Sequence, residues 1–365
     1  MKTIHIANTD FEFELANDDI SIPIDQAWNN KTMCLQLQYL PLIYADESDA
    51  IALTTLPDQL FIEYFSSLPW RSKAKLPAFI PIGTKQKFDE YDRCVSWGAS
   101  RKIQQWANER GVYYTMPEWE IVKKINSKAY SFSNSPPLAN SALIWNSNDL
   151  KKWLKIGHGK RVLKTCFGLS GKGHFHIDDH TEETKILNFC EKEWIHNRPL
   201  IAEPWLERVF DFSTQWYLDI DKGVQFIGAT MFESNSKGVY QSTKIGSEDV
   251  LFGPYIHFLE KHKNICFEML ENILKIGYFG YLGIDAFIYK KTDSAIALQP
   301  IVEINGRQTM SLAALFFQRR WFPDKTVQLF FSKDIKEKNF LLPNKIISHE
   351  GKEIVFNLHL SFSIN

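Results

Sequence analysis

The sequence lacks three features that would each assign it to a broad class of proteins. Its charges balance, since 42 Lys and Arg against 43 Asp and Glu give a net charge of -1. This disfavours a nucleic-acid-binding protein, because neutralising phosphates requires a basic surface. No stretch approaches the roughly 20 apolar residues of a membrane-spanning helix, and the N-terminal segment lacks the apolar core of a signal peptide. We therefore expect a cytoplasmic protein with neither a membrane nor a nucleic-acid partner.

Cysteine is scarce and unpaired in the sequence. The five cysteines are odd in number, lie far apart and form no CxxC pair, which disfavours both a disulfide framework and a zinc knuckle. The chain has 365 residues, 44% of them hydrophobic and 23% charged, as expected for two or three globular domains. Aromatic residues are abundant at 14%, and they either fill the core or line pockets.

The first third of the chain alternates between strand and helix patterns. Short apolar runs bounded by polar residues predict strands. Ser100 can cap a helix that ends at Gly111. Such alternation favours a parallel sheet covered by helices, with a domain boundary near Met116-Pro117. The predicted strands are 37–44, 50–55, 79–82, 94–97 and 112–115.

The remaining two thirds contain longer and more regular elements. Helices are predicted at 150–154, 182–194 and 255–276. The predicted strands are 161–166, 200–203, 212–219, 224–231, 282–289 and 295–304, with a closing strand at 354–361.

A glycine-rich loop, Phe167–Gly173, follows the strand that ends near Lys164. Its backbone amides can approach an anion without obstruction by Cβ atoms. It is neither a Walker A loop, since Cys166 and Gly173 stand where that motif needs Gly and Ser or Thr, nor a dinucleotide-binding fingerprint. The sequence contains no GxSxG elbow. The loop alone indicates either an anion site or a hairpin turn with incidental glycines.

Two apolar strands near the C-terminal end are each interrupted by one acid. Asp285 and Glu303 lie 18 residues apart, and Asn305 shares a face with Glu303 because side chains alternate along a strand. Two carboxylates and an amide oxygen suit a hard cation such as Mg²⁺. The alternative is a pair of edge-strand acids that point to solvent, which the apolar neighbours of Glu303 disfavour.

Taken in order, these segments resemble the ATP-grasp superfamily of carboxylate–amine ligases. The matching series begins with Ile125-Asn126-Ser127-Lys128, continues with Val162-Leu163-Lys164 and the Gly-rich loop, and then reaches Ala202-Glu203-Pro204-Trp205-Leu206-Glu207. It ends with Asp285 and the run Glu303-Ile304-Asn305-Gly306-Arg307. The resemblance covers about residues 117–320.

The resemblance implies an α/β protein with a parallel-sheet pre-ATP-grasp domain at residues 1–116. A two-lobed ATP-grasp domain would follow at residues 117–330, with a small lobe at about 117–200 and a large lobe at about 201–330. Residues 331–365 would form a C-terminal extension with a closing strand.

The resemblance also implies a set of ligand-binding residues. Lys128 and Lys164 would bind the phosphates of ATP, and Arg307 and Lys164 would act in catalysis. One or two Mg²⁺ ions, or Mn²⁺ in their place, would be held by Asp285, Glu303 and Asn305. The remaining nucleotide-binding residues would be Gly168, Ser170, Gly171 and Gly173 in the loop, and Glu203, Pro204, Trp205, Leu206, Glu207 and Asp211 around the hinge.

Several of these residues also have simpler interpretations. The two lysines could be solvated, Trp205 could be core, and Glu207 with Arg208 and Asp211 could form a surface charge cluster. The run from His174 to His180 looks metal-binding, but a returning strand and turn is favoured after the loop. Lys244 and the pair Arg319-Arg320 are weaker candidates for substrate binding.

The implied reaction is an ADP-forming ligation. ATP would activate a carboxylate of a small molecule or peptide as an acylphosphate, and an amine would displace phosphate to give an amide, with a thiol acceptor less favoured. The alternatives are a kinase and a non-catalytic ATP-binding module. Gly306 stands where many relatives have proline, which leaves the substrate open. No biotin-attachment or amidotransferase segment is present, and the resemblance allows a homodimer.

Overall fold

A computed structural model describes residues 1–21, 24, 31–71, 74–168, 173–235, 238–333, 339–347 and 351–364. The predictions for Ser170 and Gly171 lie outside these residues. The strands of the N-terminal half are β1 (Thr3–Ile6), β2 (Ala50–Leu53), β3 (Ala78–Pro81), β4 (Arg93–Ser96), β5 (Ala142–Ile144), β6 (Arg161–Lys164) and β7 (His174–Ile177). They are followed by β8 (Leu200–Pro204), β9 (Arg208–Asp219), β10 (Gly223–Ser234), β11 (Tyr240–Ile245), β12 (Gly280–Lys290), β13 (Ile296–Asn305), β14 (Val327–Ser332), β15 (Lys345–Ile347), β16 (Glu353–Val355) and β17 (His359–Ile364).

The helices are distributed along the whole described chain. They are α1 (Phe11–Asn17), α2 (Thr32–Leu37), α3 (Gln59–Ser67), α4 (Arg101–Arg110), α5 (Trp119–Asn126), α6 (Lys128–Ser133), α7 (Ser147–Ile156), α8 (Glu183–Trp194), α9 (Glu248–Phe252), α10 (Ile256–Lys275) and α11 (Met310–Trp321). Short 3₁₀ turns lie at Leu40–Ile43 and Gly253–Tyr255.

The chain divides into two compact units. The first comprises Met1–Trp119, Gln241–Leu251 and Arg307–Asn365, and the second comprises Glu120–Tyr240 and Phe252–Gly306. The first division falls close to the predicted boundary at residue 116. Residues 307–330, which the resemblance places in the ATP-grasp domain, pack with the first unit instead.

The first unit contains the predicted parallel sheet. Its strand order is β3-β2-β1-β4, with all three pairings parallel. Helix α4 has the predicted ends, since the Ser100 side chain accepts a hydrogen bond from the Ile103 amide and Gly111 adopts a left-handed conformation with φ 73°.

Two strands predicted in this region are wrong. The run 37–44 lies across the end of α2 and a 3₁₀ turn, because Pro41 cannot donate a strand hydrogen bond and occupies the first turn of that helix. Residues 112–115 belong to no helix or strand. In that segment the Tyr113 carbonyl accepts a hydrogen bond from Cys94.

The second unit contains two antiparallel sheets. The smaller has the order β5-β8-β6-β7, and one of its faces packs on α7 and α8 around Trp153, Leu163 and Cys190. The larger group of strands in this unit pairs in the order β13-β12-β9-β10. It packs on α10 around a core that includes Trp216 and Leu270. The predicted elements of this unit are confirmed to within a few residues.

The five cysteines are all free and buried. Within the described ranges, no helix combines the length and the apolar character needed to cross a membrane. The predicted closing strand at 354–361 is resolved into two strands, of which β17 pairs antiparallel with β14 in the first unit.

Candidate functional site

The small sheet of the second unit has one apolar face and one polar face. Lys164 lies opposite His174 on β7 and opposite Ile201 on β8, and Val162 lies opposite Glu203. Residues paired in this way share a face, because side chains alternate along each strand. Leu163 points to the other face and is part of the buried core. The sheet therefore presents Lys164, His174 and Glu203 together on the side away from its helices.

Lys164 and Glu203 form an ion pair on this polar face. The Lys164 ammonium donates to Glu203 Oε2 at 2.5 Å, and the two side chains are 7% and 16% exposed. A cation held this far from water is costly unless it is paired. The resemblance assigns both residues to nucleotide binding, and the structure brings them together.

Lys128 is positioned by the start of helix α6. Its backbone amide donates to the Cys166 carbonyl at 2.9 Å, which fixes the helix start to the segment after β6. Its side-chain ammonium donates to Glu303 Oε1 at 2.6 Å and to the Gly168 carbonyl at 3.1 Å. Lys128 therefore joins the beginning of the Gly-rich loop to an acid of the large sheet, within the second unit.

Asp285 and Glu303 are direct cross-strand partners on β12 and β13. Asn305 lies two residues beyond Glu303, and its side-chain amide donates to Asp285 Oδ2 at 3.2 Å. Two carboxylates directly opposite one another repel unless a positive charge compensates them. Lys128 compensates one of the two in this structure. The predicted juxtaposition of all three side chains on one face is confirmed.

These three residues fit a hard cation that brings some of its own ligands. Among the described residues, no group of three or more His, Cys, Asp or Glu side chains could hold a metal ion. The set here instead consists of two carboxylates and one amide oxygen. Mg²⁺ binds through one or two protein carboxylates while keeping water and phosphate oxygens, so this donor set suits Mg²⁺ better than it suits zinc.

A cleft in the second unit is lined by both lysines. Its polar lining includes Lys128, Lys164 and Glu203. Its apolar lining comes from α6, the following loop, β8 and β13, namely Phe132, Pro136, Leu138, Ile201, Ile301 and Val302. The cleft therefore combines two cations with an apolar surface, as a nucleotide site requires.

The predicted hinge lies at the end of β8. Trp205 is half-buried, its ring packs edge-on against His176 with centroids 4.5 Å apart, and the Arg208 guanidinium lies over it at 5.5 Å. Its backbone amide donates to the Lys160 carbonyl at 2.9 Å. Pro204 and Leu206, which flank it, are likewise half-buried.

The two acids predicted near the ribose differ in their environments. Asp211 accepts a hydrogen bond from Arg208 at 3.0 Å, and burial raises the pKa of its carboxyl. Glu207 is exposed and forms a 3.3 Å ion pair with Lys290. The alternative interpretation, a surface charge cluster, therefore describes Glu207 better than Asp211.

The described ends of the Gly-rich loop are Gly168 and Gly173. Gly173 has φ +89°, and a Cβ atom there would lie 2.3 Å from Thr165 Oγ1. Only glycine meets both conditions without strain. Thr165 holds Gly173 in place, since its amide donates to the Gly173 carbonyl at 3.0 Å.

Arg307 lies in the first unit. Its Nε donates to Glu12 Oε1 at 2.7 Å, with both side chains about nine-tenths buried, and its backbone bridges to Gly98. Arg320, also in the first unit, pairs with Asp46, and Lys244 lies on β11 opposite Gln328. These three stay sequence predictions as substrate-binding residues.

His174 is a residue of this face that the sequence did not single out for nucleotide binding. The predicted returning strand is confirmed as β7, and the following turn is held by Asp178, which accepts from Thr181. Burial, together with the charges of Lys164 and Lys128, lowers the pKa of His174 to about 3. The register of β6 against β7 places His174 opposite Lys164. That register cannot be read from the sequence, because a loop separates the two strands.

Comparisons with known proteins support the same architecture. No family model matches the chain. A curated relative, the [butirosin acyl-carrier protein]–L-glutamate ligase of Niallia circulans, is 24% identical over 296 residues. The aligned region covers 77% of this chain and 66% of the relative's own length.

Solved structures resemble the whole chain. N5-carboxyaminoimidazole synthetase from Staphylococcus aureus, in complex with ADP, matches with a TM-score of 0.52 at 12% identity, over 100% of this chain and 92% of that one. The biotin carboxylase domain of the 2-oxoglutarate carboxylase of Hydrogenobacter thermophilus, in complex with MgADP and bicarbonate, matches with a TM-score of 0.52 at 11% identity, over 100% and 85%. The chain therefore has the ATP-grasp fold, as its ordered motifs predict.

Proposed function

We propose that the protein is an ATP- and Mg²⁺-dependent ligase that joins a carboxylate to an amine. One observation carries the proposal. Two buried lysines line one cleft, and each is paired with an acid. The partner of Lys128 is Glu303, which lies directly opposite Asp285 on the neighbouring strand. Phosphoryl transfer needs positioning and charge stabilisation rather than a protein nucleophile, and these groups supply both.

The assigned roles follow from charge and reach. Lys128 and Lys164 would bind the α- and β-phosphates as point charges. Glu303 would exchange its contact with Lys128 for a Mg²⁺ ion held together with Asp285 and Asn305. When bound, the ion would offset the negative charge that develops during transfer. The hinge at Trp205 would hold the adenine.

Arg307 is assigned to the carboxylate substrate or its acylphosphate. A guanidinium suits this task because its planar fork matches two oxygens of a carboxylate or phosphate. The Arg307 Nε already donates to one carboxylate, at Glu12 Oε1, over 2.7 Å. We propose that the substrate carboxylate replaces Glu12 as the partner of Arg307.

The relative suggests the first substrates to test. Its name pairs L-glutamate with an acyl carrier protein. We infer that an amino-acid carboxylate is a suitable first candidate for activation. An acceptor attached to a carrier protein should be tested beside free amines.

The test is product analysis with the purified protein, ATP, Mg²⁺, L-glutamate and a panel of amine or carrier-protein acceptors. Release of ADP and phosphate together with a new amide or acyl-carrier product supports the ligase. Asp285→Asn and Glu303→Gln should each lower turnover by at least about 100-fold, because each removes a carboxylate from the cation site. Full turnover in both variants would contradict the assignment.

The two alternative functions give different products. A kinase would form ADP and a stable phosphorylated substrate, with no free phosphate. A non-catalytic module would bind ATP without consuming it. The two lysines and the two metal-binding acids of the motif series are all present. This favours catalysis, because a module that only binds ATP does not need the acids that hold the metal.

A further inference from the structure

His174 stands on the polar face of the small sheet without an assigned role. It is the direct register partner of Lys164 across β6 and β7. Its charge environment is set by Lys164, Lys128 and Glu303. The imidazole therefore belongs to the same group of side chains as the proposed phosphate-binding lysines.

One ring nitrogen of His174 has an unused hydrogen-bonding capacity. The Nδ1 atom is buried, and no described residue offers it a hydrogen-bond partner. A buried polar atom without a partner costs free energy, so such atoms are rare and call for an explanation. A bound molecule that supplies the partner is one explanation, and the position of His174 opposite the cleft residue Lys164 supports it.

The imidazole also points towards the predicted adenine hinge. A Cβ atom placed on Gly238 would lie 3.8 Å from His174 Nδ1 and 3.9 Å from Trp205 Cη2. The two rings therefore both lie beside Gly238. Trp205 is the residue that the motif series assigns to the base.

We propose that His174 binds the nucleoside part of ATP, through a hydrogen bond at Nδ1 and contact with its ring. This rests on the proposed function, because it requires that ATP enters the cleft. The environment of His174 favours the nucleoside over the phosphates. Since the pKa lies near 3, the ring stays neutral at physiological pH and adds no charge for phosphate binding.

The test measures nucleotide affinity by calorimetry in the presence of Mg²⁺. His174→Phe keeps a ring but removes the nitrogen, and should weaken ATP binding by about 5- to 10-fold, the value of one hydrogen bond. His174→Asn places an amide near the Nδ1 position and should recover part of the loss. His180→Phe, the same change at an exposed histidine of the turn after β7, should leave the affinity unchanged.

Two further measurements separate the outcomes. Binding of inorganic tripolyphosphate should be equal in the wild type and His174→Phe, because the contact is to the nucleoside. An equal loss for ATP and tripolyphosphate would overturn the proposal, as would unchanged ATP binding in His174→Phe. The ¹⁵N resonance of His174 Nδ1 should shift when ADP binds the wild type, and an unmoved resonance would count against the contact.

A failure of the proposed ligase function would give a different result. If the wild type binds neither ATP nor ADP, both proposals are wrong. If the wild type binds ATP and both His174 variants bind it equally well, only the assignment of His174 is wrong.

Discussion

At the scale of single residues, the lysines of the candidate site are each neutralised by a neighbouring acid. Lys128 pairs with Glu303, and Lys164 pairs with Glu203. The net effect is a site whose cations are held in place before any ligand arrives. Binding then exchanges partners rather than ordering free side chains, which lowers the entropic cost of binding.

The pair Lys164 and Glu203 allows a test that is independent of function. Lys164→Met should lower the free energy of unfolding by about 3 kcal/mol, because it leaves the Glu203 carboxylate largely buried without its cation. Glu203→Gln should cost a similar amount for the reverse reason. The double variant should be more stable than the sum of the two changes predicts. Denaturant unfolding of all four proteins measures this coupling, and simple additivity would show that the pair contributes nothing.

The charged residues of the site could largely be predicted from the sequence. Asp285 and Glu303 interrupt apolar strands, and such interruptions are visible without a structure. The partner of each lysine was not visible, because Lys128 and Glu303 are separated by 175 positions. The position of His174 beside Lys164 was not visible either, because it depends on the register of β7 against β6. Arg307 was found by its motif, but its contact with Glu12 depends on tertiary packing.

At the scale of elements, α5, β13 and the residues after α10 meet around Gly306. The Asn126 side chain donates to the Gly306 carbonyl at 3.3 Å. A Cβ atom on Gly306 would lie 2.8 Å from Asn126 Nδ2 and 3.1 Å from both Ile125 Cγ2 and the Tyr278 hydroxyl. A side chain at position 306 would therefore press on three neighbouring residues.

Gly306→Ala should consequently lower the free energy of unfolding by about 1–3 kcal/mol, the usual cost of overpacking. The matched control is Gly157→Ala. There the nearest atom would be 3.4 Å away, an ordinary contact, and the φ of -116° is allowed for alanine. Thermal unfolding of both variants measures the difference. Equal midpoints would show that the neighbours of Gly306 can move aside.

A buried polar network connects β9 to α10. His262 is fully buried, and its Nε2 lies 2.7 Å from Thr214 Oγ1, which also accepts from the Trp216 indole at 2.9 Å. Burial lowers the pKa of His262 to about 4. The unfolded chain has an ordinary histidine with a pKa near 6.5.

The pH dependence follows from this difference. Above about pH 6.5 His262 is neutral in both states and has no effect. As the pH falls from 6.5 to 4, only the unfolded state binds the proton, so stability is lost progressively, by up to about 3 kcal/mol. His262→Gln should lack this loss. Unfolding curves of both proteins from pH 7.5 to 4.5 test it, and parallel pH profiles would contradict it.

The elements themselves were predictable where their pattern was regular. The helix from Ser100 to Gly111 has a capping serine at one end and a glycine at the other, and both act as expected. The strand predicted at 37–44 was wrong because an apolar stretch of this length fits a buried strand and a buried turn equally well. Pro41 was the signal that decides between them.

At the scale of the whole molecule, each compact unit is built from separate parts of the chain. Residues 307–365 pack with the N-terminal unit, although they follow the last motif of the nucleotide site. Sequence order alone could not reveal this, because packing between distant segments leaves no local pattern. A domain boundary drawn along the sequence therefore cuts through a folded unit.

Ligand binding should stabilise the folded protein as a whole. With Mg²⁺ and ATP at about 100 times the dissociation constant, the free energy of unfolding should rise by about 2.7 kcal/mol. Removal of Mg²⁺ with EDTA should abolish most of the gain in the wild type. In Asp285→Asn the gain should be small with or without EDTA. A thermal shift that is insensitive to EDTA would contradict the assignment of the metal ligands.

The burial of all five cysteines offers a practical route to watching such binding. Burial raises the pKa of the thiols of Cys94, Cys166, Cys190 and Cys266, so they are poor nucleophiles at neutral pH. A single cysteine introduced at an exposed site such as Lys151 on α7 would react far faster with a maleimide dye. The natural chain is thus already suited to single-site fluorescent labelling, without the cysteine replacements that such work usually demands.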